Sequence, residues 1–163
     1  MQTEHYLTLF QKAVDGLDHT PFIQNGLEHK VGVWLDSVVL KIQKPSWRNS
    51  DATPFKNAIF FSVWVSDETL AQNKLYYNIH ALKLRELKAY KLKSRDFAQN
   101  FRIQFKSLED EWPNVSTKFG PLTLMEGWVT IDDDNLEGQI QNLAQKLLNI
   151  HFIIDDLLGA AKK

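Results

Sequence analysis

The sequence predicts an α+β fold, in which an antiparallel sheet of about five strands forms a meander flanked by three helices. Two patterns support this prediction. Between residues 30 and 132, short segments alternate apolar and polar side chains, which is typical of strands with one buried face. At both chain ends, and once in between, apolar residues recur every three or four positions, as on amphipathic helices. A length of 163 residues favours one domain, 1–163.

The first predicted elements are a helix and a hairpin. Helical spacing begins the chain, at Tyr6, Leu7, Phe10, Val14 and Leu17. The period then changes to two in KVGVWLDSVVLKIQK. A two-residue turn at Asp36-Ser37 would pair Leu35 with Val38, Val33 with Leu40 and Val31 with Ile42, and would bring these apolar residues to one face.

Two further strands are predicted in NAIFFSVWVSD and KLYYNIHAL, joined by a loop of about seven residues. Each alternates between an apolar face and a second face. That second face carries Trp64, Tyr76, Asn78 and His80. A sheet face of aromatic and polar residues would line a small-molecule pocket if no helix covers it, and the sequence leaves this open.

A helix rich in aromatic residues is predicted in SRDFAQNFRIQFKSLEDEW, with Ser94 as its N-cap and Pro113 as its end. Its stripe is formed by Phe97, Phe101, Phe105, Leu108 and Trp112. One more strand, or a bent pair of strands, is predicted in FGPLTLMEGWVTID, with Gly120 and Gly127 at the bends.

The chain closes with a long predicted helix, about 37 Å in length. Its apolar seam is spaced by four and three residues, at Leu136, Ile140, Leu143, Leu147, Ile150, Ile154 and Leu157. Additional apolar residues widen this arc beyond what one buried face requires. The seam therefore either packs in the core of its own chain or forms a homodimer interface with a second copy.

Charge is distributed unevenly along the chain. Residues 74–106 hold nine basic and two acidic side chains, whereas residues 107–163 hold four basic and ten acidic ones. The basic stretch favours an anionic partner, or pairing with the acidic C-terminal segment within the chain or across a dimer. The leading prediction is a non-enzymatic interaction protein whose basic surface, at residues 83–102, contacts a protein partner or a second copy.

Single-stranded nucleic-acid binding is the first alternative. It would use the aromatic sheet face at Trp64, Tyr76 and His80 for base stacking. Basic side chains would contact the phosphates, namely Arg85, Lys88, Lys91, Arg95 and Arg102. An overall pI of about 6.5 and the lack of an RNP motif argue against it.

The second alternative is a magnesium-dependent nuclease. Asp67 and Glu86 would hold the metal ion, and Lys88 would steady a phosphoryl oxygen or the attacking water. An acid-x-lysine triplet is common by chance, so this alternative requires the three side chains to converge in space.

Several classes of function are excluded or disfavoured. The chain has no cysteine, which excludes disulfides, thiolate catalysis and cysteine-ligated zinc. Walker, G-x-G-x-x-G, G-x-S-x-G and H-E-x-x-H motifs are missing. No cofactor and no metal site is predicted. Without a signal sequence or an apolar run of about 20 residues, a cytoplasmic protein that does not enter membranes is expected.

Overall fold

The computed structural model describes all 163 residues. The helices are α1 Thr3–Asp15, α2 Thr20–Gln24, α3 Asp67–Ala71, α4 Ser94–Phe105, α5 Leu136–Leu147 and α6 His151–Ala160. The strands are β1 Glu28–Trp34, β2 Ser37–Gln43, β3 Ala58–Val65, β4 Lys74–Leu82 and β5 Thr123–Thr130. They form one antiparallel sheet in the order β1-β2-β3-β4-β5. The predicted α+β meander is confirmed.

The first hairpin is present, but its turn lies elsewhere than predicted. Leu35 and Asp36 are the two turn residues, and both have positive φ, 49° and 62°. Trp34 therefore pairs with Ser37, and Val33 pairs with Val38. The predicted pairing of Leu35 with Val38 is wrong, because the register of β1 differs by two residues. Two left-handed residues give the turn a twist that suits the strands. Because the shift is an even number, the apolar residues of β1 keep their predicted face.

One face of the sheet forms a wall of the hydrophobic core. Its residues belong to a cluster of 38 buried side chains that also draws on α1, α4, α5 and α6. From the three central strands it takes Val38, Leu40, Ile42, Ile59, Phe61, Val63, Val65, Leu75, Tyr77, Ile79 and Ala81. α1 packs on α5, and α4 packs on α6. From the three central strands, the opposite face of the sheet, called the outer face below, adds only Ala58 at the start of β3 to this cluster.

The aromatic helix α4 is shorter than predicted. Its phenylalanines are buried, at Phe97, Phe101 and Phe105, but the helix ends there. Trp112 reaches the core from a separate 3₁₀ turn, and its ring lies 5.2 Å from that of Tyr77. Ser94 is the first helical residue and makes no capping hydrogen bond, so the predicted N-cap is wrong. The aromatic packing is thus shared between a helix and a turn.

The C-terminal segment is helical as predicted, but a turn at residues 148–150 divides it into α5 and α6. This turn lets α5 pack on α1 while α6 packs on α4. The seam from Leu136 to Ile154 is at most 4% exposed, and Leu157 packs partly buried on the same core. The seam itself is therefore accounted for by burial within the chain, whereas Phe152 beside it on α6 is 46% exposed, and the homodimer stays a prediction.

Two short helices were not predicted. α2 follows Asp18 and begins at Thr20-Pro21, a proline position that suits a first helical turn. α3 occupies the loop between β3 and β4, and a reciprocal capping box between Ser66 and Thr69 holds its start. None of the six helices combines the length and the apolar character that a bilayer crossing requires.

Candidate functional site

A row of polar side chains crosses the outer face at right angles to the strands. Lys41 on β2 pairs with Ser62 on β3, Ser62 with Asn78 on β4, and Asn78 with Glu126 on β5. Residues that pair across strands project to the same side of a sheet. Strict alternation along four strands therefore brings four residues from distant parts of the sequence into one line. Three of them, Lys41, Ser62 and Asn78, are buried.

Aromatic side chains stand on either side of this polar row. Trp34, Phe60 and Trp64 line a cleft of about 480 Å³ whose floor is the row itself. His80 also lines the cleft, with its ring 5.0 Å from that of Phe60. Tyr76 lies beyond the cleft and packs on Trp64 at 5.3 Å. A partly open, mostly apolar cleft with a few polar groups at its floor has the character of a small-molecule site.

A glycine on β1 lets Trp34 reach into the cleft. The Trp34 ring folds back over Gly32, where a Cβ would meet it at 3.0 Å. The ring comes to lie 4.3 Å from the ammonium nitrogen of Lys41, and the Phe60 ring lies 4.4 Å from the same nitrogen. The two rings hold the ammonium between them, and their negative faces stabilise its charge.

The Lys41 ammonium is buried without an anionic partner. The residue is 7% exposed, and its Nζ donates to the backbone carbonyl of Phe55 at 2.9 Å. It takes part in none of the ion pairs of the chain. Burial lowers the pKa of Lys41 to about 8, because desolvation disfavours the charged form.

Gln43 fixes the loop that supplies the Phe55 carbonyl. Its side chain is fully buried, accepts from the backbone N–H of Phe55 at 2.9 Å, and donates to the carbonyls of Asn57 and Ile59. Phe55 itself has a positive φ of 65°. Such a residue persists only where its surroundings hold it, and the buried amide of Gln43 does so here.

Asn78 is the most deeply buried of the polar residues that line the cleft, at 2% exposed. Its Nδ2 contacts Glu126 Oε1 at 3.2 Å and His80 Nε2 at 3.1 Å. Because the amide nitrogen only donates, His80 Nε2 accepts, and the neutral ring carries its hydrogen on Nδ1. Asn78 Oδ1 and His80 Nδ1 have no hydrogen-bond partner. The site therefore keeps one unused acceptor, Asn78 Oδ1.

Burial also changes the titration of the two ionisable neighbours of Asn78. It lowers the pKa of His80, an effect that the nearby Leu122 carbonyl opposes and the Lys41 charge reinforces. It raises the pKa of Glu126, partly offset by the hydrogen bond from Asn78. A neutral His80 is the expected form near pH 7, and the cleft then holds its positive charge at lysine.

Sequence reasoning found part of this site. Trp64 and His80, which were predicted on the second face of the sheet, line the cleft, whereas Tyr76 lies beside it. Glu126 was missed because the fifth strand had no assigned register. Lys41 was not singled out as a binding residue, although its place between Val39 and Gln43 on an alternating strand is the signal that identifies it.

The predicted basic surface is exposed only in part. Lys83, Arg85, Lys91, Lys93 and Arg95 are exposed and take part in no ion pair, while Lys88 pairs with Asp51 at 2.9 Å. No ion pair joins this segment to the acidic C-terminal segment. Instead, residues 89–91 pair through their backbone with residues 161–163, which places two more lysines beside them.

Arg102 does not belong to this surface. Its guanidinium donates to four backbone carbonyls, those of Phe119, Gly120, Thr123 and Leu124, at 2.8–3.2 Å. These donations hold the chain that enters β5 against α4. Its Nε and Nη2 are engaged by these carbonyls, which leaves Nη1 for the predicted phosphate contact, and that contact stays a prediction.

The three candidate nuclease residues do not converge. Asp67 follows β3, whereas Glu86 and Lys88 follow β4. Because β3 and β4 are antiparallel, their C-terminal ends lie at opposite ends of the pair. The separation is about 25 Å, the length of an eight-residue strand. Asp67 contacts the N-terminal amine of Met1 at 2.7 Å, and Lys88 contacts Asp51. The nuclease prediction is wrong.

Metal chemistry has no obvious place elsewhere either, since no group of three or more His, Cys, Asp or Glu side chains is placed to hold a metal ion. Comparison of the chain with protein-family models, with curated proteins and with solved structures finds no match in any of the three.

Proposed function

We propose that the protein binds a small, flat molecule in the cleft on the outer face of its sheet. The observation that carries this proposal is the unpartnered Oδ1 of Asn78, which is buried at the floor of a cleft with aromatic walls. A buried polar atom without a partner costs about 1–3 kcal/mol. A ligand that donates to this oxygen offsets that cost.

The dimensions and lining of the cleft support the proposal. A volume of about 480 Å³ falls in the range of small-molecule sites. The rings of Trp34, Phe60 and Trp64 offer flat apolar surfaces, and aromatic pairs gain beyond simple area burial. The polar row beneath them provides few but fixed hydrogen-bonding groups. Such an arrangement selects one orientation of a flat ligand.

The first test fills the cleft from its floor. Ser62 is 3% exposed and lies in the middle of the polar row, so Ser62→Phe occupies the ligand space without altering the core face. Ser107→Phe is the matched control on an exposed turn away from the cleft. The probe is N-phenyl-1-naphthylamine, a neutral aromatic compound whose fluorescence rises in an apolar site.

We expect saturable fluorescence with the wild type and with Ser107→Phe, and at least about tenfold weaker binding to Ser62→Phe, because the new ring excludes the probe. Thermal unfolding of both variants checks that they fold. Absence of saturable binding to the wild type, or equal binding to Ser62→Phe, would overturn the proposal.

A second candidate function is association with another copy of the chain through opposite charges. The free basic residues of the segment 83–95 support it, together with exposed acidic residues in the C-terminal part of the chain, among them Glu111, Asp132, Asp133, Asp134 and Asp156. Neither set is neutralised by the other within the chain. The apolar seam is buried, so this candidate rests on contact between exposed opposite charges, which salt weakens.

Light scattering at about 0.02 M and about 0.5 M salt tests this candidate, because screening removes contacts between exposed charges. We expect a mass near twice 18.9 kDa at low salt and the monomer mass at high salt, with Lys91→Glu/Arg95→Glu monomeric throughout. A monomer at low salt overturns it. Binding of a labelled single-stranded oligothymidine at low salt would assign the surface to nucleic acid instead.

A further inference from the structure

Lys41 differs from Lys44 and Arg48, whose side chains are also largely buried but pair with Asp155 and Glu28, in lacking a counter-ion. Its ammonium meets one carbonyl, that of Phe55 at 2.9 Å, and two rings at 4.3 and 4.4 Å. An ammonium carries three N–H donors, so two are left without a protein acceptor. Buried charges are costly unless they are paired, and the chain brings no carboxylate to this one.

The charges around the cleft add to this imbalance. Lys56 lies at its mouth, exposed and without an ion pair, and Lys30 on β1 is the register neighbour of Lys41. Glu126 is the only acidic residue of the lining, and one of its oxygens is bonded to Asn78. His80 is the remaining titratable group, and burial favours its neutral form. An anion in the cleft is therefore drawn toward the Lys41 side.

The chemistry of the donors favours a carboxylate over a phosphate. A phosphate group carries up to two charges and several acceptor oxygens, and its sites use multiple cations or a run of backbone N–H groups. The floor of the cleft offers one ammonium, flanked by rings. A single planar carboxylate in line with an aromatic ring matches one ammonium between two aromatic faces.

Resting on the proposed function, we propose that the ligand of the outer cleft is a flat aromatic carboxylate, whose anion pairs with Lys41 and whose ring edge or substituent donates to Asn78 Oδ1. The carboxylate supplies the counter-ion that the fold omits. The donor group satisfies the buried acceptor that has no partner. The rings of Trp34, Phe60 and Trp64 stack on the body of the ligand.

The ion pair between the carboxylate and Lys41 couples ligand binding to the protonation of Lys41. The pKa of Lys41 is lowered to about 8 by burial, so the free protein loses the ammonium charge as the pH rises above 8. Carboxylate binding favours the charged form and raises the pKa of Lys41. Affinity for the carboxylate therefore falls above about pH 8, whereas affinity for a neutral analogue stays level, apart from the smaller effects of His80 and Glu126.

The test compares two probes of the same size by calorimetry at pH 7, naphthalene-2-carboxylate and naphthalene-2-carboxamide. We expect the carboxylate to bind the wild type about 10–100-fold more tightly, as for a hydrogen-bonded charge pair. In Lys41→Met the preference disappears, while affinity for the carboxamide changes by less than about threefold. Lys106→Met, a lysine exposed at the end of α4, keeps the wild-type preference.

The outcomes separate this inference from the proposed function. If the carboxamide binds the wild type and the carboxylate is not preferred, the inference is overturned and the binding cleft remains. A preference that survives in Lys41→Met overturns it as well. If neither probe binds, and N-phenyl-1-naphthylamine does not bind either, the proposed function and the inference fail together.

Discussion

Lys41 and Lys44 lie three residues apart at the end of the same hairpin, but their buried ammonium groups have different partners. The side chain of Lys44 is 11% exposed and pairs with Asp155 on α6. Lys41 is 7% exposed and pairs with no carboxylate. Both ammonium groups lie near a tryptophan ring. The difference teaches that a buried lysine stabilises the fold where it has a carboxylate partner, as Lys44 has on the core side of the sheet. On the outer face, the Lys41 ammonium lacks a counter-ion.

The contrast follows from what covers each residue. α6 brings Asp155 to Lys44, and the same carboxylate accepts from Trp47 Nε1 at 2.9 Å and lies 3.5 Å from His151 Nδ1. No helix covers the outer cleft, so no element carries an acid to Lys41. The Lys44 ammonium thus has its counter-ion within the chain, whereas the Lys41 ammonium has none.

The largest expected effect is on stability, from Asp155→Asn. The change removes the charge that balances Lys44 and leaves a buried ammonium unpaired. We expect a loss of about 2 kcal/mol in the free energy of unfolding, less than for a fully buried pair because the Asp155 side chain is 34% exposed. Urea denaturation measures it. Asp156→Asn, an exposed neighbour on α6, serves as control, and a loss below about 0.5 kcal/mol would contradict the account.

The second effect compares the two lysines directly. Lys44→Met leaves the Asp155 carboxylate without its cation, and we expect a loss of about 2 kcal/mol in the free energy of unfolding. Lys41→Met replaces an unpaired buried charge by an apolar side chain of similar length. We expect no loss, or a gain of up to about 1 kcal/mol, because apolar replacement of buried charges is often neutral or stabilising. Equal losses in the two variants would mean that Lys41 is also a structural residue.

The third effect is a difference in acid stability. Burial alone would raise the pKa of Asp155, but hydrogen bonds from His151, Lys44 and Trp47, together with the Lys44 charge, hold it at about 2. The unfolded value is about 3.9, so the stability that Asp155 contributes is present above about pH 4 and is lost as the pH falls toward 2.

The stability advantage of the wild type over Asp155→Asn should therefore shrink across that range, whereas its difference from Lys41→Met should stay level. Urea titrations of the three proteins at several pH values between about 2 and 6 measure both differences. An advantage over Asp155→Asn that persists undiminished at about pH 2 would show that the carboxylate charge does not stabilise α6.

The smallest effect is expected from Gly32→Ala. The new Cβ would lie 3.0 Å from the Trp34 ring, so the ring must shift by a few tenths of an ångström, which changes its contact with Lys41. We expect a change in stability below about 1 kcal/mol, a shift in the tryptophan emission, and a weaker preference for the carboxylate probe. An unchanged preference would mean that the position of Trp34 over Lys41 is not required for binding.

Much of the fold could be predicted because it depends on local pattern. Alternation identified the first four strands, the fifth was predicted only as one strand or a bent pair, and spacing identified α1, α4 and the C-terminal helical segment. The boundaries failed where tertiary packing decides them. Leu35 and Asp36 adopt left-handed conformations that their side chains do not signal, and the turn at residues 148–150 follows from the packing of α5 and α6 on different helices.

The site was harder to predict than the fold. The alternating strands placed Trp64 and His80 on one face, but the line from Lys41 to Glu126 requires the register of four strands at once. The seven-residue seam was ambiguous because periodicity does not separate burial within a chain from burial between chains. Arg102 looked like a free cation in the sequence, since its four carbonyl acceptors come from the far side of a loop.

The most direct test of the central claim is the pKa of Lys41, followed through its ¹³Cε resonance and assigned with Lys41→Met. The account predicts a value of about 8 in the free protein and a rise of about one unit or more when naphthalene-2-carboxylate saturates the cleft, since a tenfold coupling equals one pKa unit. A free value near that of an exposed lysine, or no change on saturation, would contradict the claim that Lys41 awaits an anion.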